Sequence, residues 1–329
     1  MSSECKSVPL GTLGVLRVSG PDAVSFLQGQ LSNDMTRLAA AHALLAGYHN
    51  PQGRVIALLR VLRLAGDELL AVLPRELIAP VAQRLGRFIL RAKVKLADES
   101  AQWTIRGVMQ SAAADAHGAQ TPDAAATAPA LLAELPATLN GATRIGASLA
   151  VRVAQQPARW LLVSPAAQWS DPPLLRDCSA AGLELWERLA VAAGEPEVYA
   201  VTSGEFVAQM LNLDVLDAIA FDKGCYTGQE IIARAHFRGR VKRRLQRFLT
   251  DERTQLQPGE SGVLSDGRSF KVVRAVARPD GKCEFLAVAA SVTAPGEQEL
   301  AGGAGTAGTP QGAEPLAAER LELPYSLPD

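Results

Sequence analysis

Apolar and polar positions alternate in short blocks over the first hundred residues, and most blocks end at glycine or proline. The runs 11–18, 55–64 and 69–73 predict strands, because each is short, apolar and bounded by turn residues. Apolar residues three or four apart predict helices after Pro21 and over 78–89, and a closing strand follows at 92–96. Hairpin strands covered by helices on one face are typical of an α+β domain.

The second half of the chain changes its pattern near residue 243. Apolar residues at helical spacing between Leu183 and Ala193 predict a helix that stops at Gly194. From Leu245 onward the apolar runs are short and separated by turn residues, which predicts a small C-terminal β-domain, a barrel. We therefore expect two units, residues 1–242 and residues 243–329.

Two segments are low in complexity. Ten of the twenty residues in 111–130 are alanine, and the stretch 301–315 is rich in alanine and glycine. Such composition is typical of surface inserts. We expect neither segment to carry chemistry.

Composition limits the possible partners and the compartment. Lys and Arg total 33 against 34 Asp and Glu, so overall charge gives no reason to expect nucleic acid or membrane binding. The four cysteines, Cys5, Cys178, Cys225 and Cys283, lie far apart and lack the spacing of a zinc or iron–sulfur site. The N-terminus lacks a signal-peptide pattern and no apolar run is long enough to span a membrane. These features predict a cytoplasmic protein with reduced thiols and no stably bound metal.

The segment KGCYTGQE, residues 223–230, is the densest group of functional side chains. Lys223 stands two residues before Cys225, and a nearby cation favours the reactive thiolate. Tyr226, Gln229 and Glu230 follow directly. The alternative is an inert, buried cysteine in a tight turn, since free cysteine is among the most buried residue types.

A basic run follows this segment. It contains Arg234, Arg238, Arg240, Lys242, Arg243, Arg244 and Arg247, with no acid between them. Such a run could attract phosphate, a polyglutamate tail or RNA, and a solvated surface is the alternative. Phe237 is its only aromatic residue, so base stacking along a strand gains little support.

Several motifs together resemble the YgfZ family of folate-binding, tRNA-modifying proteins. They are FLQGQLSNDM near the N-terminus, NPQGR at 50–54, the tryptophan helix followed by AGEP, MLNLD at 210–214, KGCYTGQE and the ending LPYSLPD. The resemblance covers nearly the whole chain, apart from the two inserts. It implies the fold of the aminomethyltransferases, with interleaved α/β subdomains around a central channel and a C-terminal β-barrel.

The resemblance also implies function. It implies binding of tetrahydrofolate and a role in assembling or repairing iron–sulfur enzymes, among them the radical enzymes that methylthiolate tRNA, so that any effect on tRNA is indirect. The family's functional cysteine falls on Cys225, and its folate-contacting tryptophan falls on Trp186. An indole can stack on a pterin ring, although a core position is the alternative for Trp186. The further folate contacts that we expect are Leu13, Tyr226, Gln229, Glu230 and Arg234.

Two departures from the family pattern affect the expected folate pocket. Leu13 stands where some relatives have an aromatic residue, and Ala192 stands where many have the acid that grips the pterin. Glu195, just past Gly194, is the nearest candidate to replace that acid.

Three functions stay open at this level. The first is an accessory protein that uses Cys225 as a nucleophile or a redox relay. The second is a folate-dependent aminomethyl or methyl transferase, which would need a base such as Asp222 or Glu230. The third is an RNA-binding module that uses the basic run 234–247.

Overall fold

The computed structural model describes residues 4–111, 130–168, 175–239, 241–251, 255–290 and 314–328. Its first ten strands are β1 (Glu4–Pro9), β2 (Leu13–Ser19), β3 (Leu44–His49), β4 (Val55–Ala65), β5 (Glu68–Pro74), β6 (Lys95–Asp98), β7 (Trp103–Ser111), β8 (Ala142–Ile145), β9 (Ser148–Ala154) and β10 (Arg159–Pro165). The remaining strands are β11 (Cys178–Ala180), β12 (Arg243–Thr250), β13 (Ser261–Val263), β14 (Ser269–Ala277), β15 (Cys283–Ala290) and β16 (Glu319–Leu321). The helices are α1 (Ala23–Gln28), α2 (Arg75–Gly86), α3 (Ala130–Glu134), α4 (Leu183–Ala192) and α5 (Gln229–Arg238).

The first sheet confirms the strands predicted for the N-terminal hundred residues. Its order is β3-β4-β5-β2-β6, and all its neighbours are antiparallel. Helix α2 covers it with apolar residues at helical spacing, namely Leu77, Ile78, Val81 and Leu85. The strand expected at 92–96 begins only at Lys95, because the backbone N–H of Lys93 donates to Asp22 Oδ2 (2.7 Å) instead of to a neighbouring strand.

The second sheet brings distant parts of the chain together. Its order is β11-β1-β7-β10-β9-β8, and β1 pairs in parallel with β11. This register places Cys5 opposite Cys178, with their Cα atoms 4.5 Å apart, and a disulfide joins them. The expectation of four reduced thiols is therefore wrong for this pair, because a sequence separation of 173 residues hides their proximity.

The third sheet contains the C-terminal strands in the order β13-β14-β15-β12-β16. Over the residues that the structure describes, β13 and β16 are its edges. The segments next to these edge strands are joined by a single bridge between Leu264 and Leu316. The sheet is thus not closed into the expected barrel. The fold as a whole has mixed helix and strand content in which sheets dominate.

Helix α4 matches its prediction and ends as the sequence indicates. Gly194 adopts a positive φ of 66°, and the N–H of Glu195 donates to the carbonyl of Ala190 (3.0 Å).

The predicted surface inserts 111–130 and 301–315 fall largely outside the described residues. Within the described ranges, no helix is long and apolar enough to cross a membrane.

Candidate functional site

A cavity of about 570 Å³ lies between the three sheets. Strands β2, β4 and β5 form one wall, β9, β10 and α4 form another, and Arg274 of β14 reaches in from the third sheet. The volume falls within the range of small-molecule and cofactor sites, and most of its lining is apolar. It is the natural candidate for a ligand site.

Trp186 forms part of the cavity wall from α4. Its side chain is only 5% exposed, and the Arg159 guanidinium lies 4.7 Å from the centre of its ring. Gly107 of β7 leaves room for the indole, because a Cβ there would lie 2.6 Å from Trp186 Cζ3. The ring is therefore fixed in orientation by packing and by a cation–π contact. Trp186 is therefore a core residue that also lines the cavity, and its contact with folate stays a prediction.

Charged side chains line the cavity beside this indole. Glu195 forms an ion pair with the buried Arg159 (2.6 Å), and Glu187 receives hydrogen bonds from Arg274 Nε and Nη2 (2.7 and 3.2 Å). Burial raises the pKa of Glu197 to about 7, although the charge of Arg274 favours its ionised form. Of the four carboxylates that line the cavity, two are paired with arginine, Glu197 has a pKa near neutrality, and Glu76 accepts from the backbone N–H of Ala200 (2.7 Å).

Cations line other parts of the same cavity. Arg60 donates to Asn140 Oδ1 (2.7 Å), and burial lowers the pKa of its guanidinium. Arg75 lies at the start of α2 and also faces the cavity. A ligand here can meet apolar walls, hydrogen-bond acceptors and cations at the same time.

Cys225 lies in an exposed loop between Phe221 and α5, and its thiol is free. Lys223 holds this loop, because its ammonium donates to the carbonyls of Gln28, Leu31 and Asn33 (2.6, 2.6 and 3.0 Å). Burial lowers the pKa of Lys223 to about 8, while the charge of Asp34 opposes that shift. The sequence predicts that the charge of Lys223 favours the thiolate of Cys225. In the structure, the hydrogen bonds of its ammonium go to three backbone carbonyls.

Tyr226 packs into the core beneath the exposed cysteine loop and holds the loop there. Its side chain is buried, its ring lies 5.0 Å from Lys223 Nζ, and burial raises the pKa of its hydroxyl. Lys223 and Tyr226 therefore anchor the loop on either side of the exposed Cys225.

The NPQGR turn and the KGCYTGQE segment meet at two glycines. Gly228 precedes α5 with φ 83°, and a Cβ there would lie 2.5 Å from the carbonyl oxygen of Asn50. Gly53, with φ 70°, would clash mildly with Ile231 of α5 if it carried a side chain. The two motifs are glycine-rich at this point because their backbones touch.

The candidate residues fall into two groups. Leu13 and Trp186 line the cavity, and so does Glu195, whereas Ala192 does not. None of the six candidates in the cysteine segment and α5 is among the residues that line it; they are Lys223, Cys225, Tyr226, Gln229, Glu230 and Arg234.

Sequence reasoning missed several residues of the cavity. Glu187 could have been found as the neighbour of Trp186 on the same helix. Arg274 and Arg60 lie inside ordinary strand patterns, and nothing in the local sequence distinguishes them.

The basic run 234–247 does not form one exposed surface. Arg244 is buried and pairs with Asp214 (2.9 Å), and Arg247 pairs with Glu284 (2.6 Å). Arg243 donates to Ser269 Oγ (2.6 Å), while Arg234 and Arg238 stay exposed on α5. Three cations of the run, Arg243, Arg244 and Arg247, therefore already have partners within the fold.

No cluster of three or more His, Cys, Asp or Glu side chains suited to a metal ion occurs in the described part of the chain.

Comparison with known proteins places the chain in a family. No protein-family model matches it. It is 30% identical over 271 residues to the tRNA-modifying protein YgfZ of Escherichia coli strain K12 and to that of strain O139:H28, covering 80% of this chain and 79% of each relative. Its fold is similar to the glycine cleavage system aminomethyltransferase T from Bartonella henselae, with a TM-score of 0.61 and 15% identity over 87% of this chain and 79% of that one. The fold is thus aminomethyltransferase-like, and the chain belongs to the YgfZ family.

Proposed function

We propose that this protein is a folate-binding accessory protein that supports iron–sulfur enzymes, and through them tRNA modification, with Cys225 as its reactive group. The observation that carries the proposal is the cavity, because it combines the fixed indole of Trp186 with carboxylates and cations in an aminomethyltransferase-like fold. The relatives named above are described as tRNA-modifying proteins.

Tetrahydrofolate fits the chemistry of the cavity. Trp186 and Leu13 would hold the flat pterin through apolar contact, and a carboxylate such as Glu195 or Glu197 would accept its N–H groups. Arg60 and Arg75 would attract the acidic tail of the ligand. In this proposal Glu195 replaces the acid that many relatives have at the position of Ala192. The ligand supplies a one-carbon unit, and these residues bind and orient it.

We propose that the cysteine segment presents the reactive thiol, whereas the cavity residues bind the folate. Lys223 anchors the loop and leaves the thiol of Cys225 exposed to a one-carbon unit, an oxidant or a cluster on a partner. Tyr226, Gln229, Glu230 and Arg234 belong to the same loop and helix, and we place them in contact with whatever reaches the thiol. The partners in this proposal are iron–sulfur enzymes of the cytoplasm, including radical enzymes that act on tRNA.

The architecture implied by the family is part of the same proposal. Residues 1–242 would form two interleaved subdomains around the channel, and residues 243–329 would form a separate C-terminal unit. The position of the cavity supports this division, since the first two sheets supply most of its walls and the third supplies Arg274.

An aminomethyl or methyl transferase is the second candidate function. It is favoured by the near-neutral pKa of Glu197, because a carboxyl that titrates near pH 7 can act as a general base. Tetrahydrofolate-dependent release of ammonia from an aminomethyl carrier would identify this activity. Turnover that Glu197→Gln removes would promote the transferase over the accessory role.

The primary proposal is tested in a strain that lacks the gene. Cys225→Ser should fold normally, because the side chain is exposed, and should fail to restore methylthiolated tRNA and iron–sulfur enzyme activity. The buried Cys283, changed to Ser, is the control and should restore both if it folds. Full rescue by Cys225→Ser would refute the role of this thiol.

A further inference from the structure

Together, the last turn of α2, the following segment and the first residue of β6 form a cationic surface that contacts with the described residues do not neutralise. Its five exposed cations are Arg84, Arg87, Arg91, Lys93 and Lys95. No acidic residue interrupts residues 84–95. We refer to these residues together with Phe88 and Leu90 as the 84–95 surface.

The cations of the 84–95 surface have no partners among the residues that the structure describes. None of their side chains forms a hydrogen bond or an ion pair with a residue that the structure describes, and Asp22 contacts only the backbone N–H of Lys93. The run 234–247 is different, since Arg244 and Arg247 both pair with carboxylates. Unpaired cations keep their charge available to a ligand.

Two large apolar side chains stand among these charges. Phe88 is 49% exposed and Leu90 is 87% exposed, which are high values for apolar residues. Ile89, Val94 and Leu96 alternate with them and pack against the main core. The alternation fixes which side chains face outward, so the exposure of Phe88 and Leu90 follows from how the segment is anchored.

The backbone of the surface is also held in place. Phe88 and Ile89 continue α2 with hydrogen bonds to the carbonyls of Leu85 and Gly86 (2.9 and 3.2 Å). Lys95 opens β6, which is the edge strand of the first sheet. The backbone that carries these cations is therefore ordered before a ligand binds.

We propose that the 84–95 surface binds folded RNA directly. Five unpaired cations can attract the phosphates of an RNA backbone, and an exposed phenylalanine ring can stack on an unpaired base, which is how proteins recognise RNA loops. The ring of Phe88 can stack on one base, whereas Phe88 and Leu90 together form only a small patch for insertion into a bilayer. This inference does not depend on folate binding, and it places RNA contact outside the run 234–247.

The test uses the full-length protein and a fluorescently labelled tRNA transcript, with Kd measured by anisotropy from 50 to 200 mM salt. Contact with three or more phosphates predicts a Kd that rises at least about tenfold over this range. The triple variant Arg87→Glu, Arg91→Glu, Lys93→Glu should weaken binding at least tenfold and flatten the salt dependence. The matched control is Arg238→Glu, Lys242→Glu, Arg320→Glu, which makes the same charge change at exposed positions and should leave Kd within about twofold.

Phe88→Ala separates stacking from charge. It should weaken binding about fivefold or more, as expected when a stacked base is lost, and leave the salt slope unchanged. Equal losses in the two triple variants, or no salt-dependent binding by the wild type, would overturn the proposal. So would binding to vesicles of phosphatidylglycerol and phosphatidylcholine that the 87/91/93 variant abolishes while tRNA binding stays intact. Tetrahydrofolate binding measured on the same variants should be unchanged, so failure here leaves the folate proposal standing.

Discussion

Gly107 lies directly against the indole ring of Trp186, and the two residues fit only because Gly107 has no side chain. A Cβ at this position would lie 2.6 Å from Cζ3 of the ring. The indole consequently sits deep against β7, with Arg159 close to its ring and the cavity beside it. The orientation of the proposed folate-contacting residue is set from the neighbouring strand.

Replacement of Gly107 by alanine should displace Trp186. Overpacking of a core by one methyl group costs about 1 to 3 kcal/mol in the free energy of unfolding. Urea unfolding should show this loss, and tetrahydrofolate affinity should fall with it. Gly86→Ala is the matched control, because a Cβ there meets open space. A Gly107→Ala protein with wild-type stability would show that the indole is not held in this way.

Stability should depend on Glu197 between about pH 4.5 and 7. Its pKa rises from the ordinary value of 4.5 to about 7 on folding, so the unfolded chain loses this proton first as pH increases. The contribution is therefore fully present below pH 4.5 and is lost progressively up to pH 7, on the order of 3 kcal/mol. In urea unfolding, the difference in the free energy of unfolding between the wild type and Glu197→Gln should fall as the pH rises across this range. The exposed control Glu184→Gln should keep the pH dependence of the wild type. Parallel curves for wild type and Glu197→Gln would contradict the shift.

Lys223 should anchor the thiol loop. Lys223→Met removes three hydrogen bonds from a charged donor to the carbonyls of residues 28, 31 and 33, which should cost on the order of 2 kcal/mol. Hydrogen exchange of the amides around Cys225 should accelerate at least about tenfold, while Lys242→Met, at an exposed position, should leave them unchanged. Unaltered exchange in Lys223→Met would mean that the loop is held by other contacts.

The buried pair of Arg244 and Asp214 should be costly to break from one side. Their side chains are 7% and 6% exposed, so Asp214→Ala leaves a desolvated guanidinium without its carboxylate. We expect a loss of about 3 to 5 kcal/mol in the free energy of unfolding. The double change Arg244→Met with Asp214→Leu should cost clearly less. Equal losses for the single and double changes would indicate that packing, and not charge, dominates at this site.

Local sequence patterns predicted the elements that depend on local signals. Strands β4 and β5 and helix α4 follow from apolar periodicity and from their turn residues, and Gly194 ends its helix as expected. The disulfide between Cys5 and Cys178 could not be predicted, because it depends on the parallel pairing of two strands that lie far apart in sequence. The barrel was not confirmed, because the described residues leave β13 and β16 as edges of the sheet, and closure depends on how those edges meet.

The candidate site divides in the same way. Leu13 and Trp186 were found through family resemblance, and both line the cavity. Glu197 and Arg274 were missed because burial and long-range proximity, which sequence spacing does not encode, give them their properties. The three carbonyls around Lys223 were invisible for the same reason, so the sequence associated its charge with the thiol instead.

Titration of the purified protein with tetrahydrofolate, followed by isothermal calorimetry and by tryptophan fluorescence, addresses the folate cavity itself. We expect saturable binding at one site per chain, with a fluorescence change that Trp186→Phe abolishes and an affinity that the same change weakens at least about fivefold. Absence of saturable heat with the wild type, or an affinity unaffected by Trp186→Phe, would show that this cavity does not hold the folate.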